Sequence, residues 1–102
     1  MATVPVCRNE IAVIRQRLSQ VAKVQSIFVQ EGRGELGVFI VVPEKDFALE
    51  REIYDRELEI MDDCPNARFD FRVISLRGRR MEEIQHPVGE LVFQQDAPAG
   101  NQ

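Results

Sequence analysis

The densest group of chemically capable side chains in this chain is a set of arginines. Arg77, Arg79 and Arg80 lie close together in the sequence, and Arg68 and Arg72 precede them. Guanidinium groups bind phosphates and carboxylates through paired, charge-assisted hydrogen bonds. The cluster therefore predicts a site for a phosphate-bearing ligand, a single-stranded nucleic acid or an acidic partner surface. The alternative is a solvated charged loop.

A second candidate phosphate-binding element is the glycine-bearing stretch at residues 31–35, Glu-Gly-Arg-Gly-Glu, in which Gly32 and Arg33 are the candidate ligand residues. Backbone amides of such a loop can surround a phosphate. The stretch lacks the Lys-Ser/Thr ending of a P-loop and the third glycine of the dinucleotide-binding motif. A hairpin turn is the favoured interpretation, because glycine readily adopts positive φ.

Residue types used in nucleophilic and metal catalysis are sparse. His86 is the only histidine, and nothing in the spacing brings a Ser or Cys together with it. Cys7 and Cys64 are far apart in sequence and have no nearby Cys or His at metal-ligand spacing, so they are expected to be reduced thiols. The sequence therefore predicts no catalytic residue, no metal ligand and no cofactor.

Composition narrows the class of protein. The chain has 102 residues, of which 44% are hydrophobic and 29% charged, as expected for one globular domain. A formal net charge of −4 argues against general nucleic-acid binding. No apolar run approaches the roughly 20 residues that span a bilayer, and the first residues do not resemble a signal peptide. These features predict a cytoplasmic protein that does not associate with membranes.

Periodicity predicts the elements that position these side chains. Residues 9–22 read as a helix with Asn9 as its N-cap, because Ile11, Ile14, Leu18 and Val21 share one stripe. Residues 24–30 and 36–42 read as neighbouring strands joined by the glycine turn, and Pro43 should end the second.

Residues 46–63 read as a second helix with Asp46 as its N-cap and an ion pair between Glu52 and Arg56. Its apolar stripe consists of Phe47, Tyr54, Leu58 and Met61, widened by Leu49, Ile53 and Ile60. Because this stripe is wide, an interface with a protein partner or a second copy is plausible.

Residues 67–76 alternate as a strand with one apolar and one charged face, and Asp70 and Arg72 lie on the charged face. A loop at 77–80, a short helical turn at 81–84 and a short edge strand at 90–94 follow. The predicted fold is therefore α+β, in the order α-β-β-α-β-(α)-(β), with helices on one face of a single mixed sheet. Residues 1–93 form the predicted domain, and residues 94–102 are expected to be a disordered polar tail.

From about Ile11 to Phe93, this order of elements resembles the small nucleotidyltransferase-like domains, including the minimal antitoxin-type members. In that family a Gly-Ser turn and three strand-borne acids hold the metals that bind a nucleoside triphosphate. On that plan Gly32 matches the turn glycine, and Asp70 in Phe-Asp-Phe matches the third acid. The segment 84–93 resembles the closing segment of such domains.

The departures from the family pattern determine the functional prediction. Arg33 stands where the serine is expected, and Gly37 and Phe39 stand where the first two acids belong. One remaining carboxylate cannot hold two Mg²⁺ ions. The resemblance therefore implies a degenerate relative that has lost transferase activity and keeps the scaffold for binding.

Three functions remain open at this point. The first is a non-catalytic binding or regulatory module that acts through a protein partner or self-association. The second is a small-ligand or phosphate-binding protein that uses Asp70, Arg72 and the cluster at 77–80. The third is a regulatory subunit with a ferredoxin-like fold, which has nearly the same order of elements.

Overall fold

The computed structural model describes residues 7–32, 34–80 and 89–95, which form two helices and four strands. In chain order the elements are α1 (Cys7–Leu18), β1 (Ser26–Glu31), β2 (Leu36–Val42), α2 (Phe47–Asp63), β3 (Phe69–Ser75) and β4 (Glu90–Gln94). The predicted α+β class is confirmed. The helical turn predicted at 81–84, Arg33, His86 and residues 96–102 lie outside the described residues.

The four strands form one mixed sheet in the order β3-β2-β1-β4. β1 is antiparallel to both β2 and β4, whereas β2 and β3 are parallel. Parallel neighbours need a crossover connection, and α2 provides it. A ferredoxin-like sheet splits its βαβ unit with an intervening strand. Because β2 and β3 are direct neighbours here, the ferredoxin-like alternative does not fit.

Both helices pack on the same face of the sheet, as predicted. The core combines residues of α1, α2 and the sheet, among them Ile14, Leu18, Leu49, Ile53, Ile60, Ile27, Val38 and Ile40. The opposite face, called the open face below, carries a smaller apolar cluster of Phe28, Val41, Ile74 and Leu76. The helix-side core is the larger of the two clusters, and the removal of its apolar surface from water is the main stabilising contribution to this fold.

The boundaries of several elements follow from local chemistry. The Asp46 carboxylate accepts a hydrogen bond from the Leu49 amide at 2.8 Å, so the predicted N-cap of α2 is confirmed. β2 ends at Val42, immediately before Pro43, as expected.

The start of α1 differs from the prediction. The helix begins at Cys7, which places Asn9 inside the helix and not at its cap. The edge strand predicted at 90–94 is confirmed as β4, Glu90–Gln94. Immediately after it the Gln95 amide donates to the Gln25 carbonyl at 2.9 Å, so the expected polar tail does not begin at residue 94.

Ion pairs hold α1 against the acidic end of α2. Arg17 contacts Asp63 at 2.7 Å and Glu59 at 3.3 Å, and its hydrogen bond to Asp63 raises the pKa of Arg17. This contact offsets the unfavourable position of an acid at the carboxyl end of a helix. Arg56 was predicted to pair with Glu52, but in the structure its guanidinium contacts the carboxylate of Glu59 at 2.9 Å.

The single wide apolar stripe predicted for α2 is divided in two by the structure. Leu49, Ile53 and Ile60 are buried against the sheet. The other four side chains, called the α2 stripe below, are exposed: Phe47 by 76%, Tyr54 by 54%, Leu58 by 42% and Met61 by 39%. Successive residues of a helix are rotated by about 100°, so the buried and exposed apolar residues of α2 together form an arc over roughly half of the helix circumference. One sheet face cannot bury an arc this wide.

We expect two apolar substitutions in α2 to differ sharply in their effect on stability. Ile53→Ala opens a cavity in the core and should lower the free energy of unfolding by about 2–5 kcal/mol. Leu58→Ala removes a side chain that already faces solvent and should cost less than about 1 kcal/mol. Urea unfolding followed by circular dichroism measures both values. Equal losses would show that the α2 stripe belongs to the core.

Candidate functional site

The open face places Asp70 beside the positions where the resemblance expects its other two acids. Asp70 is the register partner of Gly37, and Arg72 is the register partner of Phe39. Partners on adjacent strands lie on the same face, about 4.8 Å apart. The positions at 37, 39 and 70 therefore adjoin on one surface, which is the geometry that a three-carboxylate metal site requires.

The one carboxylate of this surface already has a cationic partner. Arg72 Nε donates to Asp70 Oδ2 at 3.2 Å, and the two side chains are 64% and 43% exposed. An ion pair this exposed contributes little to stability. It does place a positive charge where a metal cation would have to bind.

An aromatic ring covers the glycine at the centre of this surface. A Cβ atom at Gly37 would lie 3.2 Å from Cε1 and 3.5 Å from Cζ of Phe39. The ring of Phe39 therefore occupies the space that a side chain at position 37 would need. Glycine and phenylalanine therefore fit each other here and form an apolar surface beside Asp70.

The arginine loop follows the opposite end of β3. Arg77 and Gly78 both have positive φ, 55° and 82°, and the Arg79 amide donates to the Leu76 carbonyl at 3.0 Å. These features define a type I′ turn. The Arg79 guanidinium also donates to the carbonyls of Leu76 at 2.9 Å and Ser75 at 3.3 Å, so it partly serves to close this turn.

The predicted ligand-binding residues are divided between the two ends of the sheet. Gly32 lies in the hairpin turn at the Asp70 end, where its amide donates to the Glu35 carbonyl at 2.8 Å and Gly34 has a φ of 75°. At about 3.3 Å per strand residue, Asp70 and Arg77 are roughly 20 Å apart. Asp70 and Arg72 are thus brought together, whereas Arg77, Arg79 and Arg80 form a separate group beside a groove of about 420 Å³.

Nucleophile and metal chemistry find little support in the described residues. No three Asp, Glu, Cys or His side chains of residues 7–32, 34–80 and 89–95 converge on a common point. Cys64 is buried, and burial together with the negative charges of Glu10 and Asp63 raises the pKa of its thiol. A raised pKa keeps the sulfur protonated and therefore a poor nucleophile.

The structure forms a second site that the sequence did not reveal, between α2 and the outer side of β3. This cavity, called the edge groove below, has a volume of about 390 Å³, and its lining includes Phe47, Ile53, Tyr54, Glu57 and Val73. Half of its eight lining residues are charged, the cations Lys45 and Arg51 and the acids Glu50 and Glu57, and the other half are apolar or aromatic. Such a site can recognise a partner that offers both apolar and charged contacts. The only sequence signal for it was the excessive width of the apolar arc on α2.

The edge groove contains the carboxylate of Glu57. Glu57 is half-buried and makes no hydrogen bond or ion pair with any residue in the described part of the chain. Burial raises the pKa of Glu57 from its ordinary value of 4.5 to about 7. Desolvation disfavours the charged form when no cation compensates it. Glu57 is therefore the one acid of the groove that a cationic group would stabilise most.

Comparison with known proteins does not assign this chain to a family. It matches no protein-family model, and no curated protein matches it significantly. Neither helix in the described residues is long and apolar enough to cross a membrane.

Because the pKa of Glu57 is raised, we expect the free energy of unfolding to depend on pH in a specific way. Between pH 4.5 and 7 the folded state binds a proton that the unfolded state lacks, so this group lowers stability as pH rises. Glu57→Gln removes the cost of the buried charge. We expect this variant to be more stable than the unaltered chain at pH 8, by on the order of 1–2 kcal/mol, and equally stable at pH 4.

Urea unfolding at pH 4, 6 and 8 tests this expectation. Glu52→Gln makes the same chemical change at an exposed position of the same helix and serves as the control. The control should not reproduce the pH-dependent gain. A difference between Glu57→Gln and the unaltered chain that stayed constant from pH 4 to pH 8 would contradict the assignment.

Proposed function

We propose that this chain is a non-catalytic protein-binding module. The observation that carries the proposal is the α2 stripe, four large apolar side chains that remain exposed on one helix. A contiguous exposed apolar patch on a folded domain often marks an interaction site. Aromatic and methionine side chains, three of the four here, are also enriched at protein interfaces.

The scaffold of this module is proposed to be a degenerate nucleotidyltransferase-like domain. The resemblance requires three acid positions to adjoin on one sheet face. The register pairing of Gly37 with Asp70, and the position of Phe39 two residues along the same strand, agree with that requirement. Adjacent parallel strands joined by a helix are also compatible with the predicted plan.

Loss of transferase activity is part of the same proposal. A site that holds two neighbouring Mg²⁺ ions needs several carboxylate ligands. This surface has only Asp70, which pairs with Arg72, and its remaining positions are occupied by Gly37 and the ring of Phe39. The scaffold is therefore expected to bind without transferring a nucleotidyl group.

The small-ligand alternative has weaker support. Its residues fall into two groups at opposite ends of β3, and the guanidinium of Arg79 donates to two backbone carbonyls. A phosphate site would have to be built from the remaining members of one group alone.

Restoring the missing acids tests the proposed scaffold. In the double variant Gly37→Asp/Phe39→Asp, removal of the ring makes room for both carboxylates beside Asp70. We expect this variant to bind Mn²⁺, measured by water proton relaxation, and the unaltered chain not to. The unaltered chain should also transfer no label from nucleoside triphosphate with Mg²⁺ to candidate acceptors.

Adding Asp70→Asn to the double variant provides the matched control and should abolish Mn²⁺ binding. If the restored acids bind no cation in a variant whose circular dichroism shows it to be folded, the proposed scaffold is wrong. Robust label transfer by the unaltered chain, abolished by Asp70→Ala, would refute the proposed inactivity.

Site-specific photocrosslinking tests the protein-binding function without knowledge of the partner. A benzoylphenylalanine residue at position 58 replaces Leu58 on the α2 stripe, and the same residue at position 91 replaces Leu91 on β4. The two leucines are 42% and 45% exposed, so they are matched for accessibility. In the producing cells we expect a discrete protein adduct from position 58 and none from position 91.

Mass spectrometry of the adduct distinguishes a different protein from a second copy of this chain. Equal crosslinking from positions 58 and 91, or no discrete adduct from either, would refute a binding function for the α2 stripe.

A further inference from the structure

The outer edge of β3 offers backbone groups to a further strand. In the described part of the chain β3 pairs only with β2. The Arg68 carbonyl and the Leu76 amide both bond to β2, at 2.8 and 2.9 Å. Backbone groups alternate in direction along a parallel strand. The N–H and C=O groups that point outward therefore belong to Phe69, Phe71, Val73 and Ser75. The Ser75 carbonyl accepts from the Arg79 guanidinium at 3.3 Å, so the first three residues are the ones that offer a free edge in the described part of the chain.

Two residues of the α2 stripe lie beside this edge. Phe47 and Tyr54 of α2 line the edge groove together with Val73 of β3, so the groove runs between the strand edge and this part of the stripe. Phe69 and Phe71 lie on the same face of β3 as Val73, their rings stack 5.2 Å apart, and both are only partly buried. A strand added to β3 would turn every second side chain toward these apolar groups.

Glu57 adds a charge requirement to this apolar surface. Its carboxylate lies in the groove with Tyr54 and Val73 and forms no ion pair with any residue of 7–32, 34–80 or 89–95. The groove also contains the cations Lys45 and Arg51 and a second acid, Glu50. Neither cation forms an ion pair with Glu57 within the residues that the structure describes. A lysine or arginine brought next to Glu57 would compensate a desolvated charge, which is worth more than an exposed ion pair.

We propose that the edge groove binds an extended segment of another protein, which adds as a strand to the outer edge of β3. Its alternate apolar side chains lie under the α2 stripe, and a lysine or arginine among them contacts Glu57. The inference rests on the proposed protein-binding function and specifies the partner's chemistry. Main-chain hydrogen bonds supply affinity in this mode of recognition, and the alternate side chains supply specificity.

A second copy of this chain fits the groove less well. α2 carries seven acids and two arginines, a formal charge of −5 over Phe47–Asp63. A symmetric dimer through β3 would bring two such helices together, and like charges across an interface oppose association. A partner with a cation at the position of Glu57 avoids this repulsion.

A fluorescent nonapeptide, Val-Thr-Val-Thr-Lys-Thr-Val-Thr-Val with blocked termini, is the probe. Its valines and central lysine share one face when it is extended. We expect binding by fluorescence anisotropy, and at least tenfold weaker binding of the peptide with glutamate in place of lysine. Glu57→Gln should abolish the preference between the two peptides, whereas the control Glu52→Gln should retain it.

Amide hydrogen exchange tests the geometry directly. The outward amides of Phe69, Phe71 and Val73 should exchange more slowly when the lysine peptide is bound. Tyr54→Ser removes a stripe residue that lines the groove and should weaken binding at least tenfold. Leu91→Ser, at a similarly exposed position on β4, should leave binding unchanged. Circular dichroism confirms that each variant is folded.

Several outcomes would overturn the inference. Binding without protection of the β3 edge amides excludes strand addition, and equal affinity for the lysine and glutamate peptides excludes the role of Glu57. Failure of both peptides to bind, with a partner still crosslinked at position 58, refutes this inference and leaves the protein-binding function standing. Failure of the crosslink as well refutes both.

Discussion

The fold depends on the double pairing of β2, the only strand in the described residues with an antiparallel neighbour on one side and a parallel one on the other. Five of its seven residues are buried. Because the hairpin joins β2 to β1 directly but a parallel partner needs a crossover, α2 must return over the sheet toward β3. That path places α2 over the edge strand, where the sheet is too narrow to cover both apolar sides of the helix.

The two faces of the sheet have therefore acquired different roles. The helix face holds the core, whereas the open face carries a small apolar cluster and the pair formed by Asp70 and Arg72. The contact between Phe39 and Gly37 fits an apolar surface better than a metal site. The described carboxylate of this face, Asp70, is paired with Arg72, whereas the edge groove on the helix side contains a carboxylate with no ion pair in the described residues.

The edge groove combines features that are unfavourable for an isolated domain. The α2 stripe exposes apolar surface, Glu57 is desolvated without a counter-charge, and the edge of β3 leaves backbone groups unpaired in the described part of the chain. Each of them lowers stability or invites association. A single partner bound in this groove would cover the apolar side chains, compensate the charge of Glu57 and pair with the edge of β3.

The sequence by itself determined the class of the fold, the position of β2, the turn at Gly34 and the cap at Asp46, because periodicity, glycine and capping act over a few neighbouring residues. It also placed Asp70 and Arg72 on one face, since side chains alternate along a strand. Only the tertiary structure decided which half of the apolar arc on α2 is buried, that Arg56 pairs with Glu59, and that Glu57 lies in a groove with Val73. Those outcomes depend on where α2 crosses the sheet, and that crossing is set by contacts between residues distant in sequence.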